Sequence, residues 1–227
     1  MQNGQFSVSV NGCQLENVEH MKCLGVIIDK ELKWHKHVNS VIQKVCCKAA
    51  LIRRVKPYLN VDTLNVLYKA LVQPHFDYCG IAWYGRFKDD NNKLDVLQKR
   101  CARIILGVDF LTPSIEMFSK LKWEQLTVRN QYFKALMVYK CLNSLAPQYL
   151  TKKFSYISDV HQCNTRQAAV GNLALPPLSN GHDIEGYKHS YAYSGVNLWN
   201  SITHLVRNTV NVNGFKRMYK SHYFKQL

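Results

Sequence analysis

Between Leu32 and Val61 the chain carries no acidic residue, and inside that stretch apolar side chains recur at helical spacing from Lys36 to Lys56. Val38, Val41, Ile42, Val45, Ala49 and Ile52 fall three and four residues apart, which predicts one apolar helical face. At ~100° per residue, Lys36, Lys44, Lys48 and Arg54 gather on the opposite face. Such a rod has two needs: its apolar stripe must be covered by other elements, and its cations must stay in water or meet negative charge. A packed, mainly helical body with a basic exterior satisfies both.

The rest of the chain supplies the covering elements. Pro57 ends the first helix, and Asn60 or Asp62 caps a second, in which Leu64, Leu67, Tyr68, Leu71 and Val72 repeat until Pro74. A third is expected from Asn92 to Leu106, ended by Gly107, with Leu94, Leu97, Cys101, Ile104 and Ile105 inside and Lys93, Lys99, Arg100 and Arg103 outside. Thr112-Pro113 reads as a cap with proline in the first turn. Glu124 to Asn143 reads as a long central helix, and Leu198 to Val206 and Phe215 to Phe224 as two more. Pro147, Gly171, Pro176, Pro177, Gly181, Gly186 and Gly195 punctuate the stretch before them, where short strands and loops are expected, Gln167 to Leu175 among them.

The first residues differ in kind. Phe6, Val8 and Val10 alternate with polar neighbours, Asn11-Gly12 is a hairpin-turn signal, and Met21 to Ile28 is a second apolar run, so residues 5 to 28 read as a small antiparallel sheet. The fold class is therefore α+β, mainly α: a short N-terminal antiparallel β-hairpin, a helical bundle, and a C-terminal helical domain with a small β or loop insertion. Segment boundaries are placed at residues 1–32, 33–110 and 111–227.

Thirty Lys and Arg against fifteen Asp and Glu give a formal charge of +15, which directs attention to a polyanionic partner, nucleic acid or an acidic membrane face. No apolar run reaches the ~18 to 20 residues of a membrane span, so no membrane partner is expected and the chain reads as intracellular, in nucleus or cytoplasm. Eight cysteines occur without a C-x-x-C pair and read as reduced and mostly buried.

Several blocks together resemble one family. They are Met21-Lys22-Cys23-Leu24-Gly25-Val26-Ile27-Ile28-Asp29 followed by Leu32-Lys33-Trp34-His35-Lys36-His37-Val38; Leu67 to Cys79 with its Gln73-Pro74-His75-Phe76-Asp77-Tyr78 core; Leu97 to Ile105; and Leu198-Trp199-Asn200 with Phe215-Lys216. In order and spacing they resemble the carboxy-terminal part of reverse transcriptases of non-LTR (jockey-like, LINE-type) retrotransposons, across most of the chain. The resemblance implies that Leu24, Gly25 and Val26 form a primer-grip hairpin and that the following helices form a thumb-like bundle closing on RNA template and DNA primer. The family usually carries aromatic residues where this chain has Met21 and Cys23. Read without the resemblance, Gly25 marks a bulge in a buried strand.

In such polymerases a Tyr- or Phe-x-Asp-Asp hairpin upstream of the grip holds two Mg²⁺ ions, and here that region would precede Met1. The expectation is that this chain has no catalytic residue and no cofactor of its own and does not polymerise alone, with Mg²⁺ confined to the parent protein's palm. Phe87-Lys88-Asp89-Asp90 lies after the grip and reads as the acidic entry to the third helix. Phosphate contacts are assigned to Lys36, Lys44, Lys48, Arg54, Lys93, Arg100 and Arg103. Trp34, Tyr58 and Tyr84 are candidates for stacking on bases, against a packing role. His35 with His37, and His161 and Cys163 with His182 and His189, fit no closed zinc pattern and read as surface histidines, so no metal site is expected. Template and primer are the expected partners, with the upstream polymerase half as another. The competing reading is a catalytically inert structural or protein-interaction module from a decayed or co-opted retroelement reading frame.

Overall fold

The computed structural model describes residues 8–160, 165–177 and 184–224; Phe6, His161, Cys163, Gly181 and His182 lie outside them. The architecture is α+β and mainly α, two small hairpins followed by helices. Strands β1 (Ser9–Val10) and β2 (Cys13–Gln14) pair around Asn11 and Gly12, and β3 (His20–Cys23) and β4 (Val26–Asp29) pair around Leu24 and Gly25. All four turn residues have positive φ (50°, 80°, 46° and 86°), the backbone of a tight type I′ turn whose twist matches the strands. The apolar run from Met21 to Ile28 thus folds back on itself. Gly25 is a turn residue and not a bulge, because Cys23 pairs directly with Val26 and leaves no extra residue to accommodate.

Asp29 turns the chain from hairpin to helix. Its carboxylate accepts the backbone N–H groups of Glu31 (3.2 Å), Lys33 (2.9 Å) and Trp34 (2.7 Å), holding the left-handed residues Leu32 and Trp34. Burial alone would raise its pKa, but these donors outweigh it and hold the carboxyl below its ordinary value. Helix α1 (His35–Val55) follows and buries Val38, Val41, Val45, Ala49 and Ile52, as the periodicity predicts. A 3₁₀ turn at Lys56–Tyr58 leads to α2 (Val61–Leu71), where the Asn60 side chain accepts from Thr63 N–H at 2.8 Å. Pro74 does not stop the helical path. It sits in the first turn of α3 (Gln73–Asp77), where its missing N–H leaves nothing unpaired, and α4 (Gly80–Trp83) comes after a left-handed Cys79.

Helix α5 (Lys88–Leu106) begins at Lys88 and not at Asn92, with Asp89 and Asp90 in its first turn, and ends at the left-handed Gly107. It is bonded to α1 at its start, where the Asp90 carboxylate lies 2.6 Å from His35 Nδ1. It also meets α1 at its end, where the Lys56 ammonium lies against Gly107. The two helices therefore run parallel. Helix α6 (Ser114–Leu121) starts after Pro113, which itself occupies the cap position, so Thr112 does not cap. Helix α7 (Leu126–Leu142) serves two clusters of buried side chains. Leu126 closes the first, which runs from Val38 through Leu94 and extends past residue 110 to Met117, Phe118, Leu121 and Trp123. Tyr132, Leu136 and Tyr139 open the second, which includes Val196, Trp199, Phe215 and Tyr219. Leu94 is fully buried, and its truncation to alanine costs about 2–5 kcal/mol.

The second cluster is closed by short helices α8 (Gln148–Thr151), α9 (Ile157–Val160), α10 (Arg166–Ala169), α11 (Ile184–His189), α12 (Tyr191–Ser201), α13 (His204–Arg207) and α14 (Val212–Tyr223). Gln167 to Leu175 is not a strand. Thr165 caps α10, Gly171 turns the chain at φ 68°, and only an isolated bridge from Tyr156 to Leu173 has strand character. What replaces a neighbouring strand is Asn200, whose amide accepts from Leu173 N–H (2.8 Å) and donates to Leu173 C=O (2.9 Å). The pattern expected as one helix from Leu198 to Val206 breaks at Ile202, which takes extended backbone between α12 and α13. Asn211 caps α14, its side chain accepting from Gly214 N–H at 2.8 Å.

Candidate nucleic-acid interface

Polar contacts hold the hairpin β3–β4 on the helical body. Tyr78 O–H donates to the Leu24 carbonyl at 2.5 Å, and Ile27 N–H donates to His37 Nδ1 at 3.2 Å. Leu24 is 86% exposed in the turn, while Val26, the first residue of β4, is buried, so the three grip residues are consecutive but present different faces. His37 is buried edge-on against Trp83, its rings 5.1 Å apart, and is not a surface histidine. Since Nδ1 accepts, the proton must sit on Nε2, which has no partner. Burial and then the nearby Lys44 push its pKa down. His75 on α3 is shifted the same way, by burial and then by Lys44 and Lys48. These two lysines and two imidazoles therefore share one positive field on the α1–α3 flank.

The cations predicted for phosphate contact differ in exposure and in company. Lys44, Arg54 and Arg100 are exposed and Lys48 is half-buried; none of the four is in an ion pair among the described residues. Lys36 donates to His20 Nδ1 at 2.9 Å, placing it beside the hairpin. Lys93 is engaged by an acid: its ammonium lies 3.0 Å from the Asp90 carboxylate, which also takes His35. The phosphate contact assigned to Lys93 therefore competes with an acid in the first turn of its own helix. Arg103 is half-buried with its guanidinium 4.7 Å from the Phe110 ring centroid.

Of the aromatic candidates, Trp34 and Tyr84 pack against the first cluster, and Tyr84 also bonds Thr127 at 3.0 Å; Tyr58 is 85% exposed. His189 lies 3.5 Å from Glu185, and no group of three or more metal-ligating residues gathers among the described residues. The cysteines are not mostly buried: Cys13, Cys23, Cys47 and Cys79 are exposed, Cys101 and Cys141 buried, and none of the seven described is in a disulfide. The shallow hairpins leave Cys13 and Cys23 no core to enter, Cys47 lies on the outward side of α1, and Cys79 is the left-handed link between α3 and α4. Among the described residues no helix is long and apolar enough to cross a membrane.

Residues that periodicity did not single out complete the frame. Arg86 donates to the Glu31 and Leu32 carbonyls, at 3.3 and 2.6 Å, and fixes the loop that precedes α1. Asp77 takes Arg129 of α7 through both oxygens, each at 2.6 Å, and Gln98 donates to the Glu124 carbonyl at 3.0 Å. Both lie in the blocks that carry the family resemblance, so the signal was present but carried no indication of a bonding role.

Two curated proteins match part of the chain. It is 29% identical over 119 residues to the RNA-directed DNA polymerase from mobile element jockey of Drosophila funebris, covering 51% of this chain and 13% of that protein. It is 27% identical over 148 residues to the protein of the same name from Drosophila melanogaster, covering 61% of this chain and 16% of that protein. The chain thus contains a region related to a non-LTR retrotransposon reverse transcriptase, and the match spans about a seventh of the relatives' length. No family model matches, and no solved structure matches.

Proposed function

From a chain related over half its length to a mobile-element RNA-directed DNA polymerase, we propose a nucleic-acid-binding, thumb-like part of such a polymerase. It grips RNA template and DNA primer and contributes no catalytic carboxylates itself. The observation that carries the reading is the pairing of Lys44 and Lys48 one turn apart on α1, neither in an ion pair among the described residues and both adding to the burial that depresses His75. Cations one turn apart along a helix are spaced to meet successive phosphates and release their counterions. Arg54 and Arg100 extend the contact along the parallel α1–α5 pair, Lys36 joins it to the hairpin, and Leu24–Gly25–Val26 approaches the primer end. Residues 1–32, 33–110 and 111–227 then act as grip, basic bundle and supporting helical unit.

The test is a titration of an RNA–DNA hybrid at two salt concentrations. Binding is expected to fall steeply with salt and to be tolerant of sequence. The combined changes Lys44→Glu, Lys48→Glu and Arg54→Glu should weaken it by at least tenfold for every hybrid. Unaltered affinity in that variant rules the reading out.

A second reading rests on Val8, Val10, Leu15 and Met21, each more than half exposed on the hairpins. These side chains fit a surface covered by more of the polymerase polypeptide, in a module that holds protein and not nucleic acid. Hybrid binding that is weak and insensitive to the triple reversal favours it.

A further inference from the structure

At the end of the α1–α5 pair remote from the hairpin, two aromatic rings stand in water. Tyr58 closes the 3₁₀ turn after α1 and is 85% exposed. Phe110 and Leu111 are the two central residues of a turn closed by Thr112 N–H donating to the Asp109 carbonyl at 3.2 Å, and they are 80% and 88% exposed. Turn tips are ordinarily built from Gly, Asn, Asp, Ser or Pro, so a Phe-Leu tip has no local reason. Nor does the tip pack inward: the contact shown for its ring is the Arg103 guanidinium, 4.7 Å from its centroid. Lys56 rests against Gly107 at the same end of the pair, and Arg54 lies in the last turn of α1.

The occupant of this end follows from its charge. At this end of the pair lie Arg54 in the last turn of α1, Lys56 against Gly107 and Arg103 over the Phe110 ring, with Asp109 the acid of the turn itself. Flat rings among cations suit an unpaired nucleic-acid strand, whose bases stack on the rings while its phosphates meet the arginines. With Arg103 already on one side of Phe110, a base on the other completes a three-layer stack.

We propose that Tyr58 and Phe110 form a stacking platform for a single-stranded nucleic-acid segment next to the duplex held along α1. This rests on the nucleic-acid reading above and adds a strand type and a second contact site to it.

The experiment compares the full chain binding a blunt RNA–DNA hybrid and the same hybrid with a single-stranded extension. Wild type should prefer the extended hybrid by roughly tenfold. Tyr58→Ser with Phe110→Ser should abolish the preference and leave blunt-hybrid affinity unchanged, and Phe110→Trp should keep it; both positions are exposed, and circular dichroism checks the fold. Equal wild-type affinity for the two hybrids, or a preference that survives in the double variant, overturns the platform while leaving the duplex reading intact. Loss of blunt-hybrid binding in wild type with the extension still bound would instead overturn the duplex reading alone. Failure to bind either hybrid overturns both. Wild-type binding to anionic vesicles that exceeds its binding to the extended hybrid, and is lost in the double variant, assigns the rings to a membrane surface and also overturns the platform.

Discussion

The Asp77 carboxylate grips the Arg129 guanidinium with both oxygens at 2.6 Å, and in doing so joins the end of α3 to the helix that serves both apolar clusters. Burial alone would lower the Arg129 pKa, yet the facing carboxylate more than reverses it, so the cation is secure at any working pH. Both side chains are about four-fifths buried, so loss of Asp77 leaves Arg129 only the more distant Glu124 carboxylate at 4.0 Å. Asp77→Ala is expected to cost about 3 kcal/mol in urea unfolding. Asp77→Ala combined with Arg129→Leu should recover part of that, whereas additive losses would show that the two do not act as a pair.

Acid should loosen the hairpin before it unfolds the core. His37 and His75 have depressed pKa values, so their contribution to stability is fully present above histidine's ordinary 6.5 and is lost as pH falls through their lower folded values. Protonating His37 also removes the acceptor for Ile27 N–H. The denaturation midpoint should drop between pH 7 and 5. His37→Asn keeps an acceptor and cannot titrate, so it should flatten that drop. Asp29, depressed below 3.8, adds a second loss only in stronger acid.

Asn200 stands in for a β-strand by pairing both polar groups of Leu173, which is itself 1% exposed. In Asn200→Asp the N–H contact survives but a carboxylate faces the Leu173 carbonyl. Leu at this position removes both bonds. Each change is expected to cost about 1–3 kcal/mol, and amide exchange at Leu173 should quicken by at least tenfold. Unchanged exchange would separate Asn200 from the ordering of that loop.

Leu24 occupies a left-handed turn position at φ 46° where asparagine is preferred. Leu24→Asn should therefore stabilise the hairpin by about 0.5–1 kcal/mol, read by thermal melting, whereas Gly25→Ala at φ 86° should cost about 1 kcal/mol. If the tip meets a primer end, the stabilised Leu24→Asn protein should bind hybrid more weakly than wild type.

Lys93 and Arg100 share a helix face and differ in company. Lys93 is already engaged by Asp90, so Lys93→Gln should leave hybrid affinity within about twofold; Arg100→Gln should weaken it more and reduce the salt slope by about one. Equal effects of the two would mean that the Asp90 contact gives way to phosphate.

The amphipathic periodicities were legible because they report burial directly: α1, α2, α5, α7 and α14 lie where apolar spacing puts them. The misreadings have a common physical origin in contacts distant along the chain. Pro74 looked like a terminator because periodicity does not show that α3 starts one residue earlier; Gln167 to Leu175 looked like a strand because the bonds of Leu173 come from Asn200. The cations could be placed on a helix face from sequence. Their partners could not, since Asp90 meets Lys93 within α5 but reaches His35 across fifty-five residues. Tyr78, Asp77 and Asn200 fell inside the family-like blocks, and the structure gives them bonding roles in the fold.

The parallel arrangement of α1 and α5 has a consequence for synthesis. Helix α1 finds its longest packing partner only after α2, α3 and α4 have been made, so a chain leaving the ribosome exposes a greasy helical stripe for the several seconds needed to translate the intervening codons. Over that interval its cationic side keeps the nascent segment in solution, and chaperone capture is the competing fate that the late arrival of Leu94 and its neighbours must outrun.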